Sequence, residues 1–408
     1  MEKEEVEVFK AYYKDLISAT ENKLIKLALD RAISSYRRNV KRALSKYPRT
    51  VKLTDEVRKI KEKSVRNWEE LAKIAIDSIK DNKGNAYLAR TADEARKIIG
   101  EIVGTKKVIV KSKSLTCEEL DLREYLEENG NEVWETDLGE FIIQHLGIRP
   151  MHILSPAIHV PREEVAKLLS KVTGEKVEAK IEEETKLVRR YLRKIFFKAN
   201  VGISGANVLA ADTGALFLIE NEGNIRLTTG LPPVHIAVVG IEKLVPTIQD
   251  ALKVSEVTWR YANYTVPSYI SIIAGPSKTG DIEKITTYGV HGPKELHVVL
   301  VDNGRSEMAK DDVFREALYC LKCGRCMYEC PIFELTAGYF GYKYFIGYGA
   351  ALTAFLAGGM IRAAPIAYTC LRCGKCVEVC PVKINTSEII LKLRRAISSY
   401  ENRLEENI

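Results

Sequence analysis

The chain of 408 residues lacks the sequence marks of several common chemistries. No glycine-rich dinucleotide fingerprint follows a strand and no Walker-type loop is present, so neither a nicotinamide nor a flavin site is indicated. Gly202-Ile203-Ser204-Gly205 is a short glycine-rich turn, but its spacing is not that of a phosphate loop. There are no blocks of like charge. Lysine and glutamate are interspersed, the net charge is only +7, and nucleic acid is not an expected partner. The first residues, Met1-Glu2-Lys3-Glu4-Glu5, are acidic and without an apolar stretch. No secretory leader is expected, and the expected compartment is the cytoplasm. Glutamine occurs only at Gln144 and Gln249 among many lysines and glutamates, a composition that leans towards heat-adapted proteins. Residues 345–361 carry no charge, but at 17 residues they stand at the lower limit for a membrane-spanning helix.

Cysteine, by contrast, is present nine times and is patterned. Cys320, Cys323, Cys326 and Cys330 spell Cys-x-x-Cys-x-x-Cys-x-x-x-Cys-Pro, and Cys370, Cys373, Cys376 and Cys380 repeat it. This is the bacterial-ferredoxin spacing for 4Fe–4S clusters, in which the fourth cysteine of each run ligates the other cluster. Three cysteines of a run can wrap one cubane on a tight turn. The proline then turns the chain away, so that the fourth reaches across. The expected ligand sets are Cys320, Cys323, Cys326 and Cys380 for one 4Fe–4S cluster, and Cys370, Cys373, Cys376 and Cys330 for the other. Zinc is the competing reading, but it needs four ligands, usually in separated pairs. A disulfide framework would need an oxidising compartment. The ninth cysteine, Cys117, stands where a helix should begin and reads as a buried or capping-region residue rather than a reactive thiol.

The two clusters constrain residues 345–361. A single membrane span there would put Cys330 and Cys370 on opposite sides of a bilayer, which crossed ligation forbids. The stretch reads instead as an apolar helical insert that goes out and back, with an exposed face available for docking another subunit. This insert and the helix formers around it point to an α-helical ferredoxin, expected over residues 306–408.

Upstream, residues 1–64 read as an N-terminal helical segment: Val6, Phe9, Tyr13, Ile17 and Leu24 recur at helical spacing, with a break near Pro48 and Thr50. Residues 65–305 then alternate. Strands are expected at 106–110, 132–135, 151–154, 215–219, 234–239, 269–273 and 296–301. Helices are expected at 138–146, after Pro161, and after Thr116, with Glu119 at the capping-box position. Such alternation predicts an α/β fold with a doubly wound, mostly parallel sheet.

The order of short motifs resembles that of the lactate-utilisation protein B family. They are Lys111-Ser112-Lys113-Ser114, Glu135-Thr136-Asp137-Leu138-Gly139-Glu140, Pro156-Ala157-Ile158-His159, Gly202-Ile203-Ser204-Gly205-Ala206-Asn207, Asn221-Glu222-Gly223-Asn224, Gly240-Ile241-Glu242-Lys243, Gly292-Pro293-Lys294-Glu295-Leu296-His297 and Asp302-Asn303-Gly304-Arg305. The resemblance implies a lactate-utilisation domain similar in fold to ribose-phosphate isomerase and coenzyme A transferases. It also implies work beside sister subunits that together oxidise lactate to pyruvate. Arg260-Tyr261-Ala262-Asn263-Tyr264 departs from the family, which usually has a Thr-Gly-Gln element there.

Outside the clusters, polar groups gather where strands end, which is where open α/β sheets bind ligands. Glu222, His159 and Asp137 are the candidate catalytic residues. Asn221-Glu222-Gly223-Asn224 also reads as a plain turn. Oxidation of a 2-hydroxy acid needs a general base and a cation for its carboxylate. His159, His235 and His291 are the candidate bases, and Lys111, Lys113 and Arg305 the candidate clamps. His235, within an apolar strand, reads as a satisfied core histidine. Two functions compete: an electron-transfer subunit that passes single electrons through two clusters to an unidentified acceptor, and a self-contained α/β enzyme acting on an acyl or 2-hydroxy-acid ligand with the clusters as its outlet.

Overall fold

The computed structural model describes the backbone of residues 2–405 and the side chains of residues 6–399. Four helices come first: Glu2–Glu21, Lys23–Lys46, Pro48–Arg66 and Trp68–Asp81. The Asn22 side chain accepts from the N–H groups of Leu24 and Ile25, starting the second helix. Pro48 sits in the first turn of the third, where its missing N–H costs nothing. The second helix buries Ile25, Leu29, Ile33, Tyr36, Val40 and Ala43, a single stripe at three- and four-residue steps.

Twelve strands follow: β1 (Asn85–Ala89), β2 (Val108–Lys111), β3 (Glu132–Glu135), β4 (Val201–Ser204), β5 (Val208–Ala210), β6 (Ala215–Glu220), β7 (Val234–Gly240), β8 (Leu244–Val245), β9 (Tyr269–Ile273), β10 (Lys278–Thr279), β11 (Thr287–Tyr288) and β12 (Glu295–Val301). Six of them form an all-parallel sheet in the order β1-β12-β7-β4-β2-β3. Alternate residues of β7 face opposite layers. Ile236 and Val238 pack under the helices Ala92–Val103 and Leu122–Glu128, while Ala237 and Val239 pack with the helix Trp68–Asp81 and the second sheet. The chain runs outward from β2 to β3, then returns to β4 on the other side of β2. The sheet therefore changes direction between β2 and β4, and opens a crevice at their carboxyl ends.

The expected strands at 215–219 and 269–273 exist, but they do not join the parallel sheet. They are β6 and β9 of a four-stranded sheet ordered β8-β5-β6-β9, with antiparallel β5–β6 and β6–β9 pairs. Residues 151–154 are not a strand. The His152 ring Nδ1 accepts the N–H groups of Leu154 and Ser155, so the backbone bonds a strand would use are taken in a turn. Ser114, not Thr116, caps the helix Leu115–Glu119, accepting from the Cys117 N–H.

From Arg305 to Glu405 the regular elements are helices, joined by loops that include residues 320–323 and 370–373, with one isolated bridge between Gly341 and Phe345. The insert goes out as Ile346–Leu352, breaks after Ala357, and returns as Gly359–Thr369. The expectation of an exposed docking face is wrong. All of Ile346–Leu352 is buried, and the exposed positions are Gly358 and Gly359 at the break and Arg362 and Tyr368 on the returning helix. A single hydrophobic core joins the N-terminal helices, β5 and β6, and the cysteine-bearing part, so these regions pack as one body. Among the described residues no helix is long and apolar enough to cross a membrane.

Candidate functional site: two thiol cradles beside a cleft

The two cysteine runs share a backbone as well as a spacing. Lys322 and Arg372, at equivalent places, have left-handed φ values of 59° and 53°, and Gly324 and Gly374 follow at 75° and 80°. These turns curl each run around a small cavity. Cys320, Cys323, Cys326 and Cys380 line one. Cys330, Cys370, Cys373 and Cys376 line the other. Cys376 and Thr386 line both, so the cavities are neighbours. All nine cysteines are free thiols.

The donor set fits iron–sulfur cubanes. Four thiols line the second cavity and five the first, Cys376 being shared, and among the described residues no three His, Cys, Asp or Glu side chains converge as a single metal ion would require. Burial, and then the neighbouring thiols, push Cys323 up to about 12 and Cys380 up to about 11. Thiols so placed ionise only with a cationic group among them. Gly347 is matched to the second cavity, since a Cβ there would stand 2.8 Å from the Cys370 sulfur.

The surroundings of the two runs differ. Lys322, between Cys320 and Cys323, lines a cleft of about 250 Å³ at the carboxyl ends of β2, β3, β4 and β6. Its ammonium lies 4.8 Å from the Tyr344 ring centre. Arg372 and Cys373, its counterparts in the second run, are exposed, as is Leu371. The cleft also receives Lys113, Asp137, Glu222, Lys243 and Tyr264. Lys113 donates to the Leu154 carbonyl at 2.8 Å and stands 4.0 Å from the Asp137 carboxylate. Asp137 caps the helix Leu138–Leu146 by accepting from the Glu140 N–H, and the Leu138 N–H donates to Glu222 at 3.3 Å. Burial, and then the nearby Asp137 charge, push Glu222 up to about 7. Burial also lowers Lys243, to about 8.

Glu222 and Asp137 therefore meet in one cleft. His159 does not join them. It lies half-buried in the loop before the helix Arg162–Thr173 and is absent from the cleft lining. Lys111 and Arg305 are fully buried in ion pairs, Lys111 with Glu118 and Glu135 and Arg305 with Glu119 and Glu242, so neither is open to a ligand. His235 is a core residue, bonded through Nε2 to the Ser204 hydroxyl at 2.8 Å. His291 is exposed in the segment after β11. Cys117 is buried, and burial pushes its thiol up to about 11, so it is inert. Glu220 accepts from the N–H groups of Ile225 and Arg226 and so starts the helix Asn224–Gly230. Lys243 and Lys322 escaped sequence reasoning as cleft residues. Lys243 stands in a quoted family motif, and Lys322 is an unspecified position of Cys-x-x-Cys.

The LUD domain family matches residues 72–301, and the 4Fe-4S dicluster domain family matches residues 316–384. Lactate utilization protein B of Shouchella clausii (strain KSM-K16) is 36% identical to this chain, over 83% of it and 74% of the relative. Lactate utilization protein B of Bacillus subtilis (strain 168) is also 36% identical, over 80% of this chain and 67% of the relative. A solved DUF162 family protein from Deinococcus radiodurans aligns with 57% of this chain and 98% of its own at 15% identity and a TM-score of 0.29, a likeness too distant to carry an argument. The ordered match of both domains and this level of identity place the chain in the Lactate utilization protein B family, as a lactate-utilisation iron–sulfur protein.

Proposed function

We propose that this protein is the iron–sulfur electron-transfer subunit of a complex that oxidises lactate to pyruvate, working with sister subunits of a lactate-utilisation system. Cys320, Cys323, Cys326 and Cys380 would hold one 4Fe–4S cluster, and Cys370, Cys373, Cys376 and Cys330 a second. When bound, such centres supply one-electron transfer and cannot accept a hydride. The observation that carries the reading is the asymmetry of the two runs. One presents Lys322 to an interior cleft, and the other presents Cys373 to solvent. The chain thus joins a sheltered ligand-sized space to an exposed face through two adjacent thiol cradles.

A second reading has its own support. Glu222 and Lys243 bring a carboxylate and an ammonium into the same cleft, the base and the cation that a self-contained α/β enzyme acting on a 2-hydroxy acid would need. Anaerobic assays separate the two. The isolated, cluster-loaded chain is expected to be reduced by a strong one-electron donor but not to oxidise lactate. Adding the sister subunits is expected to restore oxidation, and Cys323→Ser to abolish it. Rapid lactate oxidation by the isolated chain would favour the second reading.

A further inference from the structure

The cleft holds a charge arrangement that its own residues do not complete. Lys243 is only 9% exposed and lines the cleft. Among the described residues, its ammonium has no carboxylate within 4.0 Å and makes no hydrogen bond. Glu242, the acid that acts on it at longer range, is committed to Arg305 at 2.5 Å. Lys322 adds a second positive charge to the cleft, and it too is without an ion pair, resting over the rings of Tyr344 and Tyr348. An ammonium held at the wall of a cleft without an ion-pair partner favours an anion beside it. Elsewhere in the lining stand Glu222 and Asp137. Asp137 is occupied by Lys113 and the Glu140 N–H, whereas Glu222 accepts a single backbone bond.

We propose that this cleft binds a small carboxylic acid bearing a 2-hydroxy or 2-oxo group, its carboxylate between Lys243 and Lys322 and its 2-oxygen facing Glu222. The two lysines suit a monoanion. Glu222 suits an oxygen that shares a proton: its carboxylate accepts from a hydroxyl, and its protonated form donates to a carbonyl. Burial keeps Glu222 close to the balance between these forms at neutral pH. The inference deepens the electron-transfer reading by placing the acid on this subunit, beside the run of Cys320 and Cys323, rather than on a sister subunit. Residues from three parts of the chain build the site: Lys243 follows β7, Glu222 follows β6, and Lys322 comes from the first cysteine run.

The test is binding of lactate, pyruvate and propionate to the full, cluster-loaded chain by anaerobic titration calorimetry, with iron and labile sulfide assayed on the same sample. Propionate keeps the carboxylate and lacks the 2-oxygen. Lactate or pyruvate is expected to bind saturably, and propionate at least about tenfold more weakly. Lys243→Met should weaken binding by about tenfold or more, and Lys243→Arg should recover part of the loss. Glu222→Gln should narrow the gap between lactate and propionate. Iron content should be unchanged in all three variants. Saturable binding that weakens about tenfold or more in Lys243→Met supports the site. No saturable binding of either acid, equal binding of propionate, or binding indifferent to Lys243→Met would overturn it. If the clusters are present and reducible while no acid binds, the site fails and the electron-transfer reading stands.

Discussion

Arg305 grips Glu119 with two parallel hydrogen bonds, 2.8 Å to Oε1 and 2.7 Å to Oε2, in a place closed to solvent. The same Glu119 accepts from the Asn303 side chain at 2.6 Å and from the Tyr344 hydroxyl at 2.5 Å. The Arg305 Nε reaches Glu242 at 2.5 Å. Glu119 lies beyond β2, Glu242 beyond β7, Asn303 and Arg305 beyond β12, and Tyr344 in the cysteine-bearing part. One buried ion group thus ties the carboxyl ends of three sheet strands to the cluster region, and so fixes the floor against which the cleft is built.

Arg305→Met should therefore be strongly destabilising. It leaves Glu119 and Glu242 as buried carboxylates without their cation, a change of about 3–5 kcal/mol. Anaerobic thermal melts of the cluster-loaded protein measure it, and iron released below the parent's melting temperature would report the junction loosening. A parent-like melting curve would mean that apolar packing alone holds the two parts together.

The grouping of thiols around the two cavities leads to a second expectation. Cys330 faces the cavity of Cys370, Cys373 and Cys376, and Cys380 faces that of Cys320, Cys323 and Cys326. Cys330→Ser should disturb the cluster built on the second run, and Cys380→Ser the cluster built on the first. Parent protein should carry about eight irons and eight labile sulfides. Paramagnetic resonance of each reduced variant identifies the damaged centre. If each serine variant loses the centre of its own run, ligation is not crossed.

Solvent access predicts the order of oxidative loss. Cys373 is exposed and the nearby Leu371 is 63% exposed, whereas Cys323 is 7% exposed at its own cavity. On controlled exposure to air, the centre held by the second run should be lost first, giving an intermediate with about half the iron. Mössbauer or resonance spectra taken during the exposure would show one set of signals decaying ahead of the other. Simultaneous loss would mean that the burial of Cys323 gives no protection.

The sequence made the cysteine grouping legible because ligand spacing is a local property, repeated twice within a short stretch. The parallel sheet was legible in the same way, from apolar runs such as 234–239 and 296–301 that lie buried as β7 and β12. The second sheet was not. β6 and β9 have the apolar pattern of any buried strand, and pattern alone does not say which sheet a strand joins. Residues 151–154 were misread because Met151, Ile153 and Leu154 are apolar, while the deciding feature is the His152 ring bonding back to its own turn. Candidate clamps were half found. Lys111, Lys113 and Arg305 look equivalent on paper. Burial among carboxylates uses up Lys111 and Arg305, and only the fold brings Lys243 and Lys322 together.

Glu222 links the cleft to pH. Burial, and then the Asp137 charge, raise it to about 7, against an ordinary value near 4.3 in an unfolded chain. The folded state therefore binds this proton more tightly than the unfolded state. The resulting stabilisation is complete below pH ~4 and is lost as pH rises through about 7. Glu222→Gln carries no proton to lose. Its melting temperature relative to the parent should thus rise from pH 5 to pH 8, with a gain at pH 8 of about 2 kcal/mol. Glu135 and Glu140, also raised by burial to about 7 and about 8, titrate in the same window, so the parent's own pH slope is shared among several groups. The difference between variant and parent removes that shared part and isolates Glu222. Melting temperatures measured anaerobically at half-unit steps from pH 5 to pH 8 give it directly. A difference that stays flat across the window would show that Glu222 is ionised in the cleft throughout, and that the Leu138 N–H and then Lys113 outweigh burial.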